Sequence, residues 1–382
     1  MFSIYLHIPF CKKVCDYCDF RVLSAPERLF TEYTELLCKE ITCYEEIHPG
    51  LLKTAKTLYL GGGTPSLLRP DCLAQIFESL QKVGVDVHNL QEVSMEFNPE
   101  SVTETSVKNA MSLGVNRISV GLQTFNDRLL QLIGRVHSST SGLRALEYLT
   151  NIPGLEVSGD LMFNLPTQSL DDFVCDIDKL SSFALNHVSF YGLTLSPRTV
   201  LGKRVAKGII SVDEDLYEPM YLAGVELLSK KGFERYEVSN FARPGHQSVH
   251  NKNYWECGEY AGFGPGAHSY LGGVRSYAPE IYPRWREYVQ QGCNPDAKTY
   301  DCLTVQSQIA EMIWLSLRQS SGLDVKKLKT LGWMPKAEVI AKWAGQGYLH
   351  VQGDVFNPES DAKLTLVGRG WVFMDDIVTD LM

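Results

Sequence analysis

Tyr5-Leu-His-Ile-Pro-Phe-Cys11-Lys-Lys-Val-Cys15-Asp-Tyr-Cys18-Asp-Phe20 places three thiols within eight residues, directly after a β-rich run at Ser3–Ile8. Three thiolates this close can converge on one small object. Iron–sulfur clusters usually take four cysteines. A local set of three leaves one iron open to an outside ligand, such as the amine and carboxylate of an amino acid. A [4Fe–4S] cluster on Cys11, Cys15 and Cys18 is the first expectation. Structural zinc is an alternative, but it wants four N/S ligands, commonly as two separated pairs. Here it would need His7, which sits at alternating spacing on the strand. The chain has ten cysteines. Cys38, Cys43, Cys72 and Cys175 lie on helical patterns and read as small core or surface residues.

Working outward, five more β-rich runs follow: Thr57–Leu60, Glu92–Phe97, Arg117–Leu122, Glu156–Phe163 and His187–Leu193. Helical periodicity lies between them. Arg28–Tyr44 sets Leu29, Phe30, Tyr33, Leu36, Leu37 and Ile41 on one face. Cys72–Val83 starts behind Asp71 as its N-cap, and Leu170–Phe183 starts behind Ser169. Ser106–Leu113 and Leu216–Lys231 each stop at a glycine. Strands alternating with helices imply parallel β/α units. Six of them predict a partial (β/α)6 barrel of the TIM type over residues 1–235, with a doubly wound sheet as the alternative. Residues 236–297 read as a barrel-closing segment, with Tyr236–Gly272 as strand and loop. Residues 298–382 read as a small α+β unit: helices at Val305–Leu317, Lys336–Ala344 and Gly368–Leu381. A hairpin of Tyr348–Val351 and Leu364–Leu366 around the polar stretch Gly353–Lys363 makes it resemble a winged helix.

Composition excludes several classes. Charged residues make up 21% and the net charge is −9, which disfavours nucleic acid and anionic lipid. Residues 305–382 hold 8 Lys/Arg against 9 Asp/Glu, so the winged unit reads as a capping or interaction element rather than a DNA reader. No apolar run reaches the ~20 residues of a membrane span. Peripheral contact with a membrane stays open. With no signal peptide in view, a reducing cytoplasm is expected, where clustered thiols are more often metal ligands.

Polar residues gather where the strands end. Gly61-Gly62-Gly63-Thr64-Pro65 follows the second strand, and glycines there let backbone N–H groups approach a ligand. A tight turn is the plain alternative. Glu96 closes the third strand and could accept from an ammonium or a ribose, or simply be solvated. Gln123 closes the fourth strand and Arg135 follows it, with a fork suited to a carboxylate. Asp160 lies in the fifth strand. In parallel β/α barrels the C-terminal strand ends form the active-site rim.

These motifs together resemble the radical-SAM superfamily. Within it they resemble the oxygen-independent coproporphyrinogen oxidase group and its relatives, the HemW-type heme chaperones. The resemblance covers nearly the whole chain. It implies S-adenosylmethionine (SAM) on the open iron, with contacts at Tyr5, Tyr17, Gly62, Gly63, Thr64, Glu96, Gln123, Arg135 and Asp160. Two departures favour the chaperones over the oxidases. The oxidases carry another cysteine where Phe20 stands, and they have an N-terminal arm, whereas here the first strand begins at about residue 3.

The second half agrees. His250-Asn-Lys-Asn-Tyr254-Trp255 resembles the heme-binding motif proposed for those chaperones. A neutral histidine can ligate heme iron while Tyr and Trp pack on the porphyrin. A histidine buried among aromatics is the alternative, with His268 as a reserve ligand. Three functions stay open: a cluster- and SAM-bearing protein that binds heme and delivers it to acceptor proteins, a radical enzyme acting on a porphyrinogen or another tetrapyrrole, and a non-catalytic module that retains the barrel. Intact cluster and SAM motifs disfavour the last. The sequence leaves open whether SAM is cleaved in turnover.

Overall fold

A computed structural model describes residues 1–24, 26–357 and 360–382. Six parallel strands run side by side in sequence order: β1 (Phe2–Ile8), β2 (Thr57–Gly62), β3 (Glu92–Phe97), β4 (Arg117–Gln123), β5 (Glu156–Phe163) and β6 (His187–Gly192). A doubly wound sheet reverses its order at a switch point. This one never reverses, so the barrel reading stands and the alternative falls. Each strand hands its chain to a helix, and the apolar stripes of Arg28–Ile47, Pro70–Lys82 and Leu170–Ser181 cover the sheet. Ile4, Leu6 and Ile8 of β1 are fully buried, as are Leu58, Leu60, Ile118, Val120 and Leu161 along the arc.

The arc does not close on itself. Beyond β6 stand β7 (Glu234–Arg235) and β8 (Asn240–Ala242), which pair antiparallel. Beyond β1 stand β9 (Glu259–Phe263), β10 (His268–Leu271), β11 (Val274–Tyr277) and β12 (Thr299–Cys302). β9 lies parallel to β1, with Tyr5 opposite both Gly262 and Tyr59. The sheet ends at β12 and β7, so the barrel is partial. After β12, the helix Val305–Leu317 leads into a three-stranded sheet of Leu323–Asp324, Lys363–Leu366 and Leu349–Gln352. The predicted hairpin is present, with a third strand that two residues of pattern could not announce. Within Gly353–Lys363, residues 358 and 359 lie outside the described ones. Among the described residues no helix is long and apolar enough to cross a membrane.

Three local expectations change. Asp71 is not a cap: Pro70 occupies the first helical position, where a missing N–H does no harm, and Asp71 falls in the first turn. The last predicted helix begins as a 3₁₀ turn at Gly368–Trp371 and becomes α-helical at Met374–Leu381. Tyr236–Gly272 is not all strand and loop, because Val249–Trp255 is a helix. Seven residues show too little period to read, and its start is fixed from afar. Ser248 caps it by accepting from Asn251 N–H, and Glu92 of β3 accepts from Val249 N–H (2.7 Å), His250 N–H (3.3 Å) and the Ser248 hydroxyl (3.0 Å). Glu92 is 4% exposed and faces Arg117 at 4.0 Å, which also binds Glu156 at 2.6 Å.

Removing one member of such a buried network is expensive, because a charge and several donors lose their partner. Glu92→Ala is expected to cost about 3 kcal/mol in denaturant unfolding. It should also raise amide exchange at residues 249–255 before the rest of the barrel. Exchange unchanged there would show that the helix does not depend on Glu92.

Candidate cofactor site at the strand ends

The chain leaving β1 cannot wander. Phe10–Cys11 pairs in parallel with Leu23–Ser24, Leu23 N–H donates to Pro9 O (2.6 Å), and Cys18 N–H donates to Cys15 O (3.1 Å). Further along, Asp16 N–H donates to Ile133 O (3.0 Å) and Asp16 O accepts from Leu201 N–H (2.7 Å). Asp19 binds Arg198 at 2.7 Å. The thiol loop is thereby tied to the connections that follow β4 and β6.

Beside it lies a cavity of about 310 Å³. Its walls carry Cys11, Cys15, Tyr17, Cys18, Gly62, Gly63, Thr64, Glu96, Gln123, Arg135 and Asp160. Eleven residues spread over 150 positions of sequence thus share one space, because all but Asp160, which points in from within β5, sit at or beyond the C-terminal end of a strand. Tyr5 is the exception among the expected SAM contacts. It lines the neighbouring cleft, its hydroxyl 3.0 Å from His7 Nδ1.

The glycine run works differently from the expectation. Gly62 N–H donates to Glu96 Oε2 (3.1 Å), Gly63 N–H to Ile8 O (2.8 Å) and Thr64 N–H to Phe10 O (2.7 Å). The last two clamp the chain entering the thiol loop to the end of β2, and the first ties β2 to Glu96 of β3. Side chains are excluded by contact. A Cβ on Gly63 would lie 2.6 Å from Phe10 O and 2.8 Å from Ile8 O, and one on Gly62 (φ +105°) would lie 2.5 Å from the His7 ring.

Two residues not assigned from sequence complete the frame. Asn98 donates to Thr64 Oγ1 (2.8 Å) and accepts from Arg135 Nη2 (2.7 Å), joining the glycine run to the arginine. Its signal was present in Glu96-Phe-Asn98-Pro, one step past the strand. Tyr191 donates to Gln123 Oε1 (2.9 Å), holding a side chain whose backbone is left-handed (φ 67°) at a bulge in β4. Arg135 also donates to Gly121 O (2.6 Å), and its Nη1 lies 3.6 Å from Cys15 Sγ.

The electrostatics suit particular guests. Burial raises Glu96 to about 7, and the nearby Asp160 carboxylate adds to the rise against hydrogen bonds from Tyr59 (2.7 Å) and Gly62. Burial likewise raises Asp160 to about 6, although Ser119 donates to both its oxygens at 2.9 Å. Two buried carboxylates that repel one another favour a cationic ligand, and SAM carries an ammonium and a sulfonium. Burial raises the Cys11 thiol to about 11, with Cys15 and Cys18 adding to the rise against a Thr64 hydrogen bond. Bound iron removes that penalty by stabilising thiolates. Among the described residues no three such side chains close around a point as single-ion ligands do. Cys11, Cys15 and Cys18 nonetheless all line the one cavity.

His250 is not brought to this cavity. It is 0% exposed, with Nδ1 2.8 Å from Thr57 Oγ1 and Nε2 2.8 Å from Tyr254 OH. Burial lowers it to about 3, so it is neutral. Both nitrogens of the expected axial ligand are thus hydrogen-bonded in this arrangement. Sequence could not show this, because its partner Thr57 lies 193 positions away.

Residues 5–180 match the Radical SAM superfamily. The barrel, the thiol loop and this match define a radical-SAM protein, a class that implies a [4Fe–4S] cluster and SAM. The heme chaperone HemW of Bacillus subtilis is 33% identical over 97% of this chain and 96% of its own length. That of Lactococcus lactis is 34% identical over 86% of this chain and 84% of its own. The chain belongs to the HemW family. Coproporphyrinogen III oxidase from Escherichia coli shares the fold, with a TM-score of 0.81 over 100% of this chain and 89% of its own, at 18% identity.

A methyl group at Gly63 meets backbone rather than a flexible side chain, so the loop itself must shift. Gly63→Ala is expected to destabilise the chain by about 2 kcal/mol in urea unfolding, more than Gly345→Ala, where nothing lies within 4 Å of the added Cβ and the backbone is not left-handed. Equal effects would show that the clamp is slack.

Proposed function

We propose that Cys11, Cys15 and Cys18 hold a [4Fe–4S] cluster, that SAM occupies the cavity beside them, and that the chain binds heme and delivers it to acceptor proteins. The observation that carries the cofactor reading is the meeting of three thiols, two buried carboxylates and one guanidinium around a single 310 Å³ space. The heme reading rests on the family, whose curated members are named heme chaperones. A bound cluster of this class supplies an open iron site and an electron for SAM. The chain's part is to position and shield it. Arg135, held by Asn98 and Gly121 O, keeps a fixed cation against Cys15 Sγ. Glu96 and Asp160 receive the positive groups of SAM, and Gln123 borders the pocket under Tyr191.

Anaerobic reconstitution of the full chain should load about four irons, and serine at Cys11, Cys15 or Cys18 should abolish this while Cys38→Ala should not. Full loading of the three serine variants would overturn the ligand set. SAM binding should carry a pH signature. Glu96 must ionise to meet a cation, so SAM affinity in equilibrium dialysis should rise between pH 6 and pH 8. The rise should vanish in Glu96→Gln. Transfer is tested by mixing heme-loaded chain with an apo-acceptor and following the absorbance of the acceptor. Conversion of coproporphyrinogen III under reducing conditions with SAM would instead make the chain an oxidase.

A further inference from the structure

A second, larger cavity of about 540 Å³ opens beside the cofactor site, well within the range of ligand pockets. The neighbouring strands β1, β9, β10 and β11 form one side, and Glu311 and Leu315 of the helix Val305–Leu317 form the other. It is contiguous with the cofactor cavity, since Asp19, Phe20, Gly62 and Glu96 line both. Phe20 is 72% exposed at this shared border. The wall is aromatic: the rings of Tyr254 and Tyr260 meet edge to face at 4.6 Å, and Tyr270 follows at 6.5 Å. Two guanidiniums, Arg21 and Arg275, stand in the lining, paired with Glu280 and Glu311. A flat apolar macrocycle with acidic side arms fits this combination of aromatic wall and arginine forks.

Resting on the heme reading above, we infer that heme is taken into this cleft and that His268 is its axial ligand. Two histidines line the cleft, and they differ in what their nitrogens do. His7 is held at both: Nδ1 by Tyr5 OH (3.0 Å) and Nε2 by Arg21 O (3.1 Å). His268 stands at the start of β10, exposed, its ring stacked on Tyr277 at 4.8 Å. Among the described residues nothing hydrogen-bonds either of its ring nitrogens. Burial and then Arg275 lower it from the usual histidine range, which keeps a lone pair available near neutral pH. Cys257 also lines the cleft, and its serine variant is therefore the competing-ligand control in the test below. Ligation forms one Fe–N bond from the imidazole lone pair and displaces a solvent ligand, with no change of oxidation state. The stacking on Tyr277 fixes the ring's plane and leaves its edge for the metal.

The test is hemin titration of the full, cluster-loaded chain, followed by absorbance and EPR. His268→Ala should weaken binding about tenfold or more, in the range seen where metal-site groups are removed. It should also lose the wild-type spectrum and regain it with added imidazole. His250→Gln, which keeps the hydrogen-bonding of a buried polar group, should leave the spectrum unchanged. Wild-type spectrum and affinity in His268→Ala would overturn the assignment, as would their loss in Cys257→Ser or His250→Gln alone. A wild-type chain that takes up no heme would fail differently, since it would remove the heme reading itself.

Discussion

Two backbone hydrogen bonds carry the architecture of the site: Gly63 N–H to Ile8 O and Thr64 N–H to Phe10 O. They hold the chain leaving β1 against the chain leaving β2 at a distance that no Cβ at residue 63 permits. Everything downstream depends on that approach. The thiol loop projects from this point, so its cysteines reach the space above the strand ends rather than solvent. Thr64 then meets Asn98, and Asn98 meets Arg135. A contact made by atoms too small to vary thus passes position along four connections of the barrel to the guanidinium beside Cys15.

The same site carries electrostatic stress that only a guest can relieve. Glu96 and Asp160 are both buried and both raised, and neither has a cation in direct contact. Their partners are hydroxyls and one backbone amide, which satisfy oxygens without supplying charge. Stability runs opposite to affinity here. A carboxylate raised in the folded state adds stability below its unfolded value near 4.5, and that contribution fades as pH climbs toward 7. The ionised form that binds a cation best is therefore the one the empty fold tolerates least. That is the relation expected when a pocket is shaped for binding rather than for the fold.

Much of this was legible in the sequence because it is local. The strand runs end within a few residues of their observed limits, since apolar β-branched stretches bounded by glycine and proline are short-range signals. The cluster cysteines and the strand-end polar residues share one cavity because one topological rule places all such ends on one face. Long-range partners were not legible. The helix at Val249–Trp255 is started by a glutamate 157 positions earlier, and His250 is kept neutral by burial and held at Nδ1 by Thr57. A motif of His, Tyr and Trp reads as a ligand with its supporting aromatics. Only the fold shows that Tyr254 closes the histidine's last nitrogen while its ring faces the next cavity.

That division bears on how heme could be both held and given away. A histidine sealed in the interior, 0% exposed, would have to leave its partners before meeting iron and recover them after release. Each step would disturb Thr57 and Ser3 beneath it, which are themselves hydrogen-bonded at 2.8 Å. His268 requires neither step. It stands at the start of β10 beside a cleft, with neither ring nitrogen hydrogen-bonded among the described residues, and braced by stacking on Tyr277. Were heme held by His268 alone, an incoming protein ligand could displace that one bond without unfolding this chain. The buried His250 touches the Tyr254 hydroxyl from behind and lies outside the cleft's lining.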